Sequence, residues 1–180
     1  FSPISAVASG VADLRRIASE AQDRLGMHGQ RTILFVDEIH RFNKAQQDVI
    51  LPYVENGTLV LIGATTENPS FEVVSPLLSR ARVFTLSQLT NEQAEQIVRE
   101  AMDDEERGLA SLGPKLDADA MEALVTLANG DARVALNALE LATSATSPDE
   151  SGARPISQAA VEDAMQQRAL LYDKAGDQHY

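Results

Sequence analysis

The stretch ILFVDEIHRF, residues 33–42, decides the fold of this chain. Four consecutive apolar residues, which end at Val36, are followed at once by two acidic residues, Asp37 and Glu38. A short apolar run of this kind predicts a strand buried in a parallel sheet. Ligands of such sheets bind beyond the carboxyl ends of the strands. The two acids therefore stand where a ligand is expected, although a strand that simply emerges into solvent can end in the same way.

Strand and helix signals alternate through the first half of the chain. Strands are predicted from apolar runs at residues 4–7, 32–36, 58–64 and 82–86. Apolar residues at helical spacing predict helices that begin after Ser9, after Asn43 and at Ser75. The first of these helices is predicted to end at Gly26, and the end of the second is marked by Pro52 and Gly57. Alternation of this kind predicts an α/β fold with a parallel sheet.

The second half of the chain shows helical signals and no strand signal. Helix starts are predicted at the capping residues Thr90, Asp117, Asp131 and Ser157. The polar stretch at 146–155 is predicted to be a loop, and residues 168–180 a linker. We therefore expect a partial sheet domain at residues 1–87 and a small all-α domain at residues 88–167.

The negative charge of the chain is concentrated in its second half. The net charge is −12; residues 1–87 carry eight Lys or Arg and nine Asp or Glu, whereas residues 88–180 carry seven and eighteen. This imbalance argues against a broad nucleic-acid surface on the second half, so any DNA contact there must use local patches. The absence of cysteine excludes disulfides and thiolate metal sites. No apolar run is long enough to predict a transmembrane helix.

Polar residues at the ends of two predicted strands suit phosphate chemistry. A carboxylate such as Asp37 can hold hydrated Mg²⁺, which prefers oxygen ligands. A second carboxylate, Glu38, can orient or deprotonate a water that attacks phosphorus. Thr65 and Thr66 follow the strand predicted at 58–64, and a hydroxyl there can hydrogen-bond a terminal phosphate or the attacking water. The same threonines also fit a plain exit from a strand.

Three arginines are candidates for phosphate contacts. Arg80 and Arg82 lie between a short predicted helix and the strand predicted at 82–86. The planar guanidinium fits phosphate oxygens, although a lone surface arginine is usually only solvated. Arg133 lies in the first turn of a helix, where the helix dipole disfavours a cation, so it calls for an anionic partner. The three histidines, His28, His40 and His179, show no metal-ligand spacing.

Four stretches together resemble the motifs of AAA+ ATPases, most closely of the clamp-loader branch. ILFVDEIHRF resembles the Walker B motif, IGATTENP resembles sensor 1, SPLLSRARVF the arginine-finger segment and GDARVALNALE sensor 2 of the helical lid. Within the branch, ATTENPSFE joined to LLSRARV is similar to the replication-associated recombination protein A family, also known for maintenance of genome stability, whose eukaryotic relative is the Werner helicase-interacting protein. The resemblance covers the whole chain and implies a partial P-loop-type parallel sheet followed by a helical lid.

The resemblance assigns roles to the residues at the strand ends. It implies that Asp37 helps to hold the Mg²⁺ of MgATP and that Glu38 is the catalytic base. It also implies that Thr65 is the preferred sensor 1 residue, with Thr66 as a close alternative.

The resemblance assigns roles to the arginines as well. Arg80 would be the finger that reaches the γ-phosphate bound by the adjacent subunit. Arg133 would be sensor 2, which links the nucleotide state to the position of the lid within the same subunit. Arg82 matches the second arginine of the family and is expected to form a structural salt bridge.

The family implies a DNA-dependent ATPase that acts in recombination and repair at stalled replication forks. Its implied cofactors are ATP and Mg²⁺, and its implied partners are DNA forks, gaps or ends and single-stranded DNA-binding protein. The family forms tetramers through a C-terminal domain, and its expected location is the bacterial cytoplasm, associated with the nucleoid and not with a membrane.

The phosphate-binding loop G-x-x-x-x-G-K-[ST] does not occur in these 180 residues. Because the family has this loop upstream and its oligomerisation domain downstream, we expect the chain to be a piece of a longer protein. We expect the piece alone neither to bind ATP tightly nor to hydrolyse it, and to be monomeric or weakly associated. We also expect its sheet domain to be poorly formed or unstable and its lid to be the more autonomous part.

Other functions fit parts of the pattern. A Holliday-junction branch-migration motor shares the GATT strand end, but nothing here resembles its winged-helix module. A clamp-loader subunit usually has cysteine after the finger arginine, where this chain has Ala81. A non-catalytic lid module would not need the full set of candidate site residues. A phosphotransfer receiver needs a lysine at a later strand end, and RVFTLSQ supplies none.

Overall fold

The computed structural model describes the backbone of residues 1–176 and the side chains of residues 1–167. The chain divides into two compact units, the first spanning Phe1–Phe84 and the second beginning at Thr85. Each unit has its own cluster of buried apolar side chains.

The first unit is built on a three-stranded parallel sheet. Its elements are β1 (Ser2–Ser5), α1 (Val11–His28), β2 (Thr32–Asp37), a 3-10 turn (Ile39–Arg41), α2 (Lys44–Glu55), β3 (Leu59–Gly63) and the short helices α3 (Pro69–Glu72) and α4 (Ser75–Leu78). The strand order is β1-β2-β3, and both pairs of strands are parallel. The α/β fold with a parallel sheet is thus confirmed. Ser5 pairs with Asp37 and Val36 pairs with Gly63, so the carboxyl ends of all three strands lie at one edge.

One face of this sheet is covered. The helices and the strands both contribute side chains to the buried cluster on this face. These are Leu14, Ile17 and Ala21 of α1, Leu34 and Val36 of β2, Ile50 of α2, Leu59 of β3 and Leu77 of α4. Full burial of each leucine, isoleucine or valine among them contributes about 1.5–3 kcal/mol. On the other face, Ile33, Val60 and Ile62 are exposed. The central strand is therefore apolar on both sides, but within residues 1–167 its burial is one-sided.

The prediction of a strand at residues 82–86 is wrong. These residues have no strand hydrogen bonds, and Val83, Phe84 and Leu86 are exposed. The β-branched and aromatic composition favours an extended backbone, but a strand exists only where a neighbouring strand supplies its hydrogen bonds. Among the residues that the structure describes, no strand pairs with this segment.

One helix end in the first unit differs from its prediction. Helix α1 continues past Gly26 to His28 and ends at Gly29, which adopts the left-handed conformation common after helices. Helix α2 ends at Glu55, between Pro52 and Gly57, as predicted. Its head is as predicted, because the side chain of Asn43 accepts a hydrogen bond from the backbone N–H of Gln46.

The second unit is mainly helical. Its elements are α5 (Asn91–Asp103), a 3-10 turn (Ala110–Leu112), β4 (Pro114–Leu116), α6 (Ala118–Ala128), α7 (Ala132–Ala145), β5 (Arg154–Ile156) and α8 (Gln158–Gly176). The caps at Thr90, Asp117 and Asp131 are confirmed, since each side chain accepts a backbone N–H of the first helical turn. Its buried core includes Val98, Leu124, Leu139, Ile156 and Val161.

The expectation that the second unit lacks strands is wrong. Strands β4 and β5 pair in parallel over three residues each, with Lys115 opposite Pro155. β5 begins inside the stretch predicted as a polar loop, and three residues are too few for a period-two pattern to be recognised. At the other end, the backbone stays helical to Gly176 within the predicted linker at 168–180, and residues 177–180 lie outside the described part.

Candidate active site

Asp37 is the last residue of the central strand β2. Its carbonyl accepts a hydrogen bond from the N–H of Ala6 at 3.0 Å, which extends the pairing with β1 by one step. Its side chain is exposed, and Oδ1 accepts from the N–H of Glu38 at 3.1 Å. The backbone of Asp37 is therefore fixed by the sheet, while its second carboxylate oxygen is open to a ligand at the carboxyl edge.

Glu38 has an unusual backbone conformation for a residue with a side chain. Its φ and ψ are 56° and 44°, in the left-handed region that L-residues adopt at a cost of about 1–3 kcal/mol. The residue turns the chain from β2 into the 3-10 turn at Ile39–Arg41. Strained backbone of this kind is concentrated at functional sites.

Ile39 anchors this turn. Its side chain is 3% exposed and belongs to the core of the first unit. A Cβ atom at Gly63 would lie 2.9 Å from Cδ1 of Ile39, so the glycine leaves the room that this side chain occupies. The N–H of Ile39 also donates to the carbonyl of Ala64 at 2.9 Å, and the N–H of Ala64 donates to the carbonyl of Val36 at 2.9 Å. The ends of β2 and β3 are thereby held together beyond the last paired residues.

This arrangement brings Glu38, His40 and Thr65 into contact. Nε2 of His40 lies 3.1 Å from Oε2 of Glu38. Nδ1 of the same ring lies 2.9 Å from Oγ1 of Thr65, at hydrogen-bonding geometry. Oγ1 of Thr65 also accepts a hydrogen bond from the N–H of Glu67 at 3.0 Å. Glu38 and Thr65 are thus linked through His40, a residue that the sequence pattern does not indicate as part of a site.

Thr66 differs from Thr65 in its surroundings. Its side chain is exposed and makes no hydrogen bond with a residue that the structure describes. Its hydroxyl is therefore available to a ligand at this edge of the sheet, whereas that of Thr65 already takes part in two interactions.

Arg80 lies in the first unit, just after α4. Its Nη2 lies 2.8 Å from Oε1 of Glu55, the last residue of α2, and its Nη1 donates to the carbonyl of Pro76 at 2.8 Å. Arg82 is exposed and makes no ion pair with any residue whose side chain is described. The structural salt bridge expected for Arg82 is therefore not found within residues 1–167.

Arg133 lies in the second unit, at the second position of α7. Its side chain is exposed, and the helix start beneath it is capped by Asp131, whose carboxylate accepts from the N–H of Val134 at 3.0 Å. The turn before this cap is tight: Asn129 and Gly130 both have positive φ, and the carbonyl of Gly130 accepts from the N–H of Leu89. Arg133 is thus carried on a firmly capped helix end.

Within residues 1–167, three carboxyl groups have shifted pKa values, and all three belong to caps and turns of the second unit. The hydrogen bond from the side chain of Thr90 lowers the pKa of Glu92. Backbone N–H groups of residues 107 and 106 lower the pKa of Asp104. The hydroxyl of Ser151 lowers the pKa of Asp149. These shifts report local turn geometry and do not mark a reactive group.

The first unit suits a metal that is bound mostly by water and substrate. Within the described part of the chain, no three His, Asp or Glu side chains converge as a ligand cluster. Mg²⁺ in phosphate sites is commonly held by one or two carboxylates together with substrate phosphates and waters. The single open carboxylate of Asp37 fits that mode, and no dedicated protein cage is needed.

Comparison with known proteins identifies the family. The chain is 46% identical to replication-associated recombination protein A of Escherichia coli K12 over 98% of its own length. It is 40% identical to the ATPase WRNIP1 of Dictyostelium discoideum, again over 98% of its length. The family model for an AAA C-terminal domain matches residues 110–180. The chain belongs to the replication-associated recombination protein A family.

The match to the replication-associated recombination protein A family covers part of each relative. The chain spans 39% of the Escherichia coli protein and 22% of the Dictyostelium protein. Among solved structures, the Holliday junction branch migration motor RuvB of Thermotoga maritima is similar with a TM-score of 0.69, over 92% of this chain and 52% of that one. Since the identity is 24%, this likeness shows the fold alone. No helix among the described residues is long and apolar enough to cross a membrane.

Proposed function

We propose that the full-length protein is a DNA-dependent AAA+ ATPase that acts in recombination and repair at stalled replication forks. The observation that carries this proposal is the contact of Glu38 with His40 and of His40 with Thr65, beside the open carboxylate of Asp37. It supports the proposal because a base, a hydroxyl and a metal-binding carboxylate meet at the ligand edge of a parallel sheet. The family membership supports the same reaction.

In this proposal the two acids have separate roles. Asp37 would hold Mg²⁺ together with the phosphates of ATP, and the ion would neutralise charge on the phosphate oxygens. Glu38 would accept a proton from a water whose oxygen bonds to the γ-phosphorus. The bond from that phosphorus to the oxygen it shares with the β-phosphate breaks, so the products are ADP and phosphate. The phosphate-binding loop would come from a part of the protein outside this chain.

The two threonines divide between positioning and phosphate contact. The hydroxyl of Thr65 is engaged by His40 and by the N–H of Glu67, whereas that of Thr66 is exposed. This difference favours Thr66 for the hydrogen bond to the terminal phosphate, whereas the resemblance to the family implied Thr65. Thr65 would then contact no phosphate and would instead hold the ring of His40 in place.

The arginines would act on phosphate from other positions. Arg80 is proposed as the finger that enters the site of an adjacent subunit, and Arg133 as sensor 2 on the lid of its own subunit. Both need an oligomer or a bound nucleotide to reach phosphate. The proposed assembly is a homo-oligomer, a tetramer by family likeness, and its proposed partners are fork, gap or end structures of DNA and single-stranded DNA-binding protein. Such a protein would work at the nucleoid in the bacterial cytoplasm.

The experiment that tests the proposal is the substitution Glu38→Gln in the full-length protein. We expect hydrolysis to fall by about 10²–10⁴-fold, the usual contribution of a general base, while ATP binding is kept. The matched control is Glu67→Gln, because Glu67 is an exposed acid beside Thr65 whose contact there uses the backbone and not the carboxylate. Full-length wild-type protein that does not hydrolyse ATP with or without forked DNA would contradict the proposal, as would normal turnover in the Glu38 variant.

A further inference from the structure

His40 is engaged on both sides of its ring. Its side chain is 12% exposed, Nε2 lies 3.1 Å from the carboxylate of Glu38, and Nδ1 lies 2.9 Å from the hydroxyl of Thr65. The spacing of the histidines in the sequence gives no hint of this, because Glu38 and His40 face each other as a result of the left-handed turn at Glu38. His40 is therefore built into the candidate site and is not a solvated surface residue.

The hydrogens of this group can be assigned from the chemistry of its members. An ionised carboxylate only accepts hydrogen bonds, so the Nε2 atom that faces Glu38 must carry a hydrogen to attract it. In the neutral ring, Nδ1 is then an acceptor, and the hydroxyl of Thr65 donates a hydrogen bond to it. A lone pair of the same hydroxyl accepts the N–H of Glu67. Every donor in this arrangement meets an acceptor.

We propose that His40 is a positioning residue for ATP hydrolysis, which holds the carboxylate of Glu38 in place relative to Thr65. This inference rests on the proposed function of Glu38. A glutamate side chain has several rotatable bonds, and a general base is effective only when it is held within reach of the water it deprotonates. The ring of His40 supplies that restraint, and Thr65 holds the ring in turn.

A purely structural role for His40 predicts different behaviour. The turn that carries His40 is already fixed by the buried side chain of Ile39 and by the hydrogen bond from Ile39 to Ala64. Loss of the imidazole should therefore leave the turn and ATP binding intact and affect turnover. A structural residue would instead change stability and all functions together.

The first test uses the 180-residue chain and is independent of activity. With ¹⁵N-labelled histidine, long-range NMR correlations report which ring nitrogen carries hydrogen near pH 7.5, and the exposed His28 gives a reference signal. We expect Nε2 of His40 to be protonated, and we expect its ring signals to shift in a Thr65→Val variant. A ring with bare Nε2 cannot donate to Glu38 and would overturn the inference.

The second test uses variants of the full-length protein. In His40→Gln the amide nitrogen can take the place of Nε2, which faces Glu38, whereas in His40→Asn the amide can replace Nδ1, which faces Thr65. We expect kcat to fall by about 10–100-fold in His40→Ala and His40→Asn, the range found when a residue that orients a metal ligand is replaced. We expect His40→Gln to recover part of this loss, and KM for ATP to stay within about twofold in all three. The control His28→Ala should behave like wild type.

The outcomes separate the two proposals. Wild-type protein without ATPase activity would overturn the proposed function and, with it, the role of His40. An active wild type with unchanged kcat in His40→Ala and His40→Asn would overturn the role of His40 alone. Equal activity of the Gln and Asn variants would also count against it, because the contact with Glu38 would then carry no advantage.

Discussion

Nη2 of Arg80 lies 2.8 Å from Oε1 of Glu55, which joins the segment after α4 to the end of α2. Both side chains are more than two-fifths exposed, and ion pairs at such positions contribute about 0–1 kcal/mol. The guanidinium is therefore held loosely, and a stronger anion can replace Glu55. This is compatible with an arginine that waits in its own subunit and engages phosphate in the next.

We predict that Arg80→Ala lowers kcat of the full-length protein by about 10³–10⁵-fold, the effect of removing an arginine finger. If Arg80 acts between subunits, mixing this variant with inactive Glu38→Gln protein creates sites with both residues intact. ATPase assays of the mixture should then show more activity than either variant alone. Arg82→Ala is the control and should have little effect. Loss of activity without any recovery on mixing would argue for a role within one subunit.

We predict that Gln47→Ala loosens the segment before α4. Gln47 is 2% exposed; its amide nitrogen donates to the carbonyls of Phe42 and Glu72, and its oxygen accepts from the N–H of Val74. Without it these backbone groups lose their partner, at a cost of about 1–3 kcal/mol. Hydrogen exchange at the amide of Val74 should accelerate accordingly.

The exposed residue next to Gln47 provides the control. Asp48→Ala on the same helix should change stability by no more than about 0.5 kcal/mol and leave exchange at Val74 unaltered. Unchanged exchange in Gln47→Ala would mean that the segment is held by other contacts.

We predict that Gly130→Ala destabilises the second unit more than Gly152→Ala does. Both glycines have positive φ, 76° and 84°, so each alanine adds backbone strain of about 1 kcal/mol or more. At Gly130 the new Cβ would also lie 2.8 Å from the carbonyl oxygen of Leu89, whereas nothing lies within 4 Å at Gly152. Urea unfolding should show an additional loss of about 1–3 kcal/mol at Gly130. Equal losses would show that the Leu89 segment moves aside freely.

We predict that the contribution of Asp149 to stability disappears in acid. Its carboxylate accepts hydrogen bonds from the N–H and hydroxyl of Ser151 and from the N–H of Ala153, and the pKa of Asp149 is lowered. A group with a lowered folded pKa stabilises the fold above its unfolded pKa, near 3.8, and this is lost as pH falls through the folded value. The difference in melting temperature between wild type and Asp149→Ala should be largest near pH 7 and shrink below about pH 4. A constant difference would show that the turn does not depend on the charge; Glu150→Ala is the exposed control.

We predict that the 180-residue chain alone neither binds ATP tightly nor hydrolyses it. Asp37 and Glu38 are present for their proposed roles toward the metal and the water, but the chain has no G-x-x-x-x-G-K-[ST] loop to hold the phosphates. Calorimetry with MgATP and a phosphate-release assay on the purified chain should both give no signal, with the full-length protein as the positive control. Phosphate release by the chain that is abolished by Glu38→Gln would contradict this.

Local signals were predicted well from the sequence, and signals that depend on distant partners were not. The cap at Thr90 needs only Gln93 three residues later, so it could be identified directly. Residues 82–86 were predicted as a strand and are not one, and the strands β4 and β5 were not predicted. In both cases the outcome depends on hydrogen bonds to other segments, which composition does not reveal. The contacts of His40 cannot be predicted from the sequence, because they depend on the left-handed backbone of Glu38 and glutamate rarely adopts that conformation.

Ile39 lies between the two residues of the proposed site that contact each other, and its side chain belongs to the core. The packing of Ile39 beside Gly63 therefore helps to fix the positions of its neighbours Glu38 and His40. Hydrophobic packing and reaction geometry are not independent at this position. We therefore expect a shorter or longer aliphatic residue at position 39 to lower the rate of the proposed ATP hydrolysis even where folding and nucleotide binding are kept.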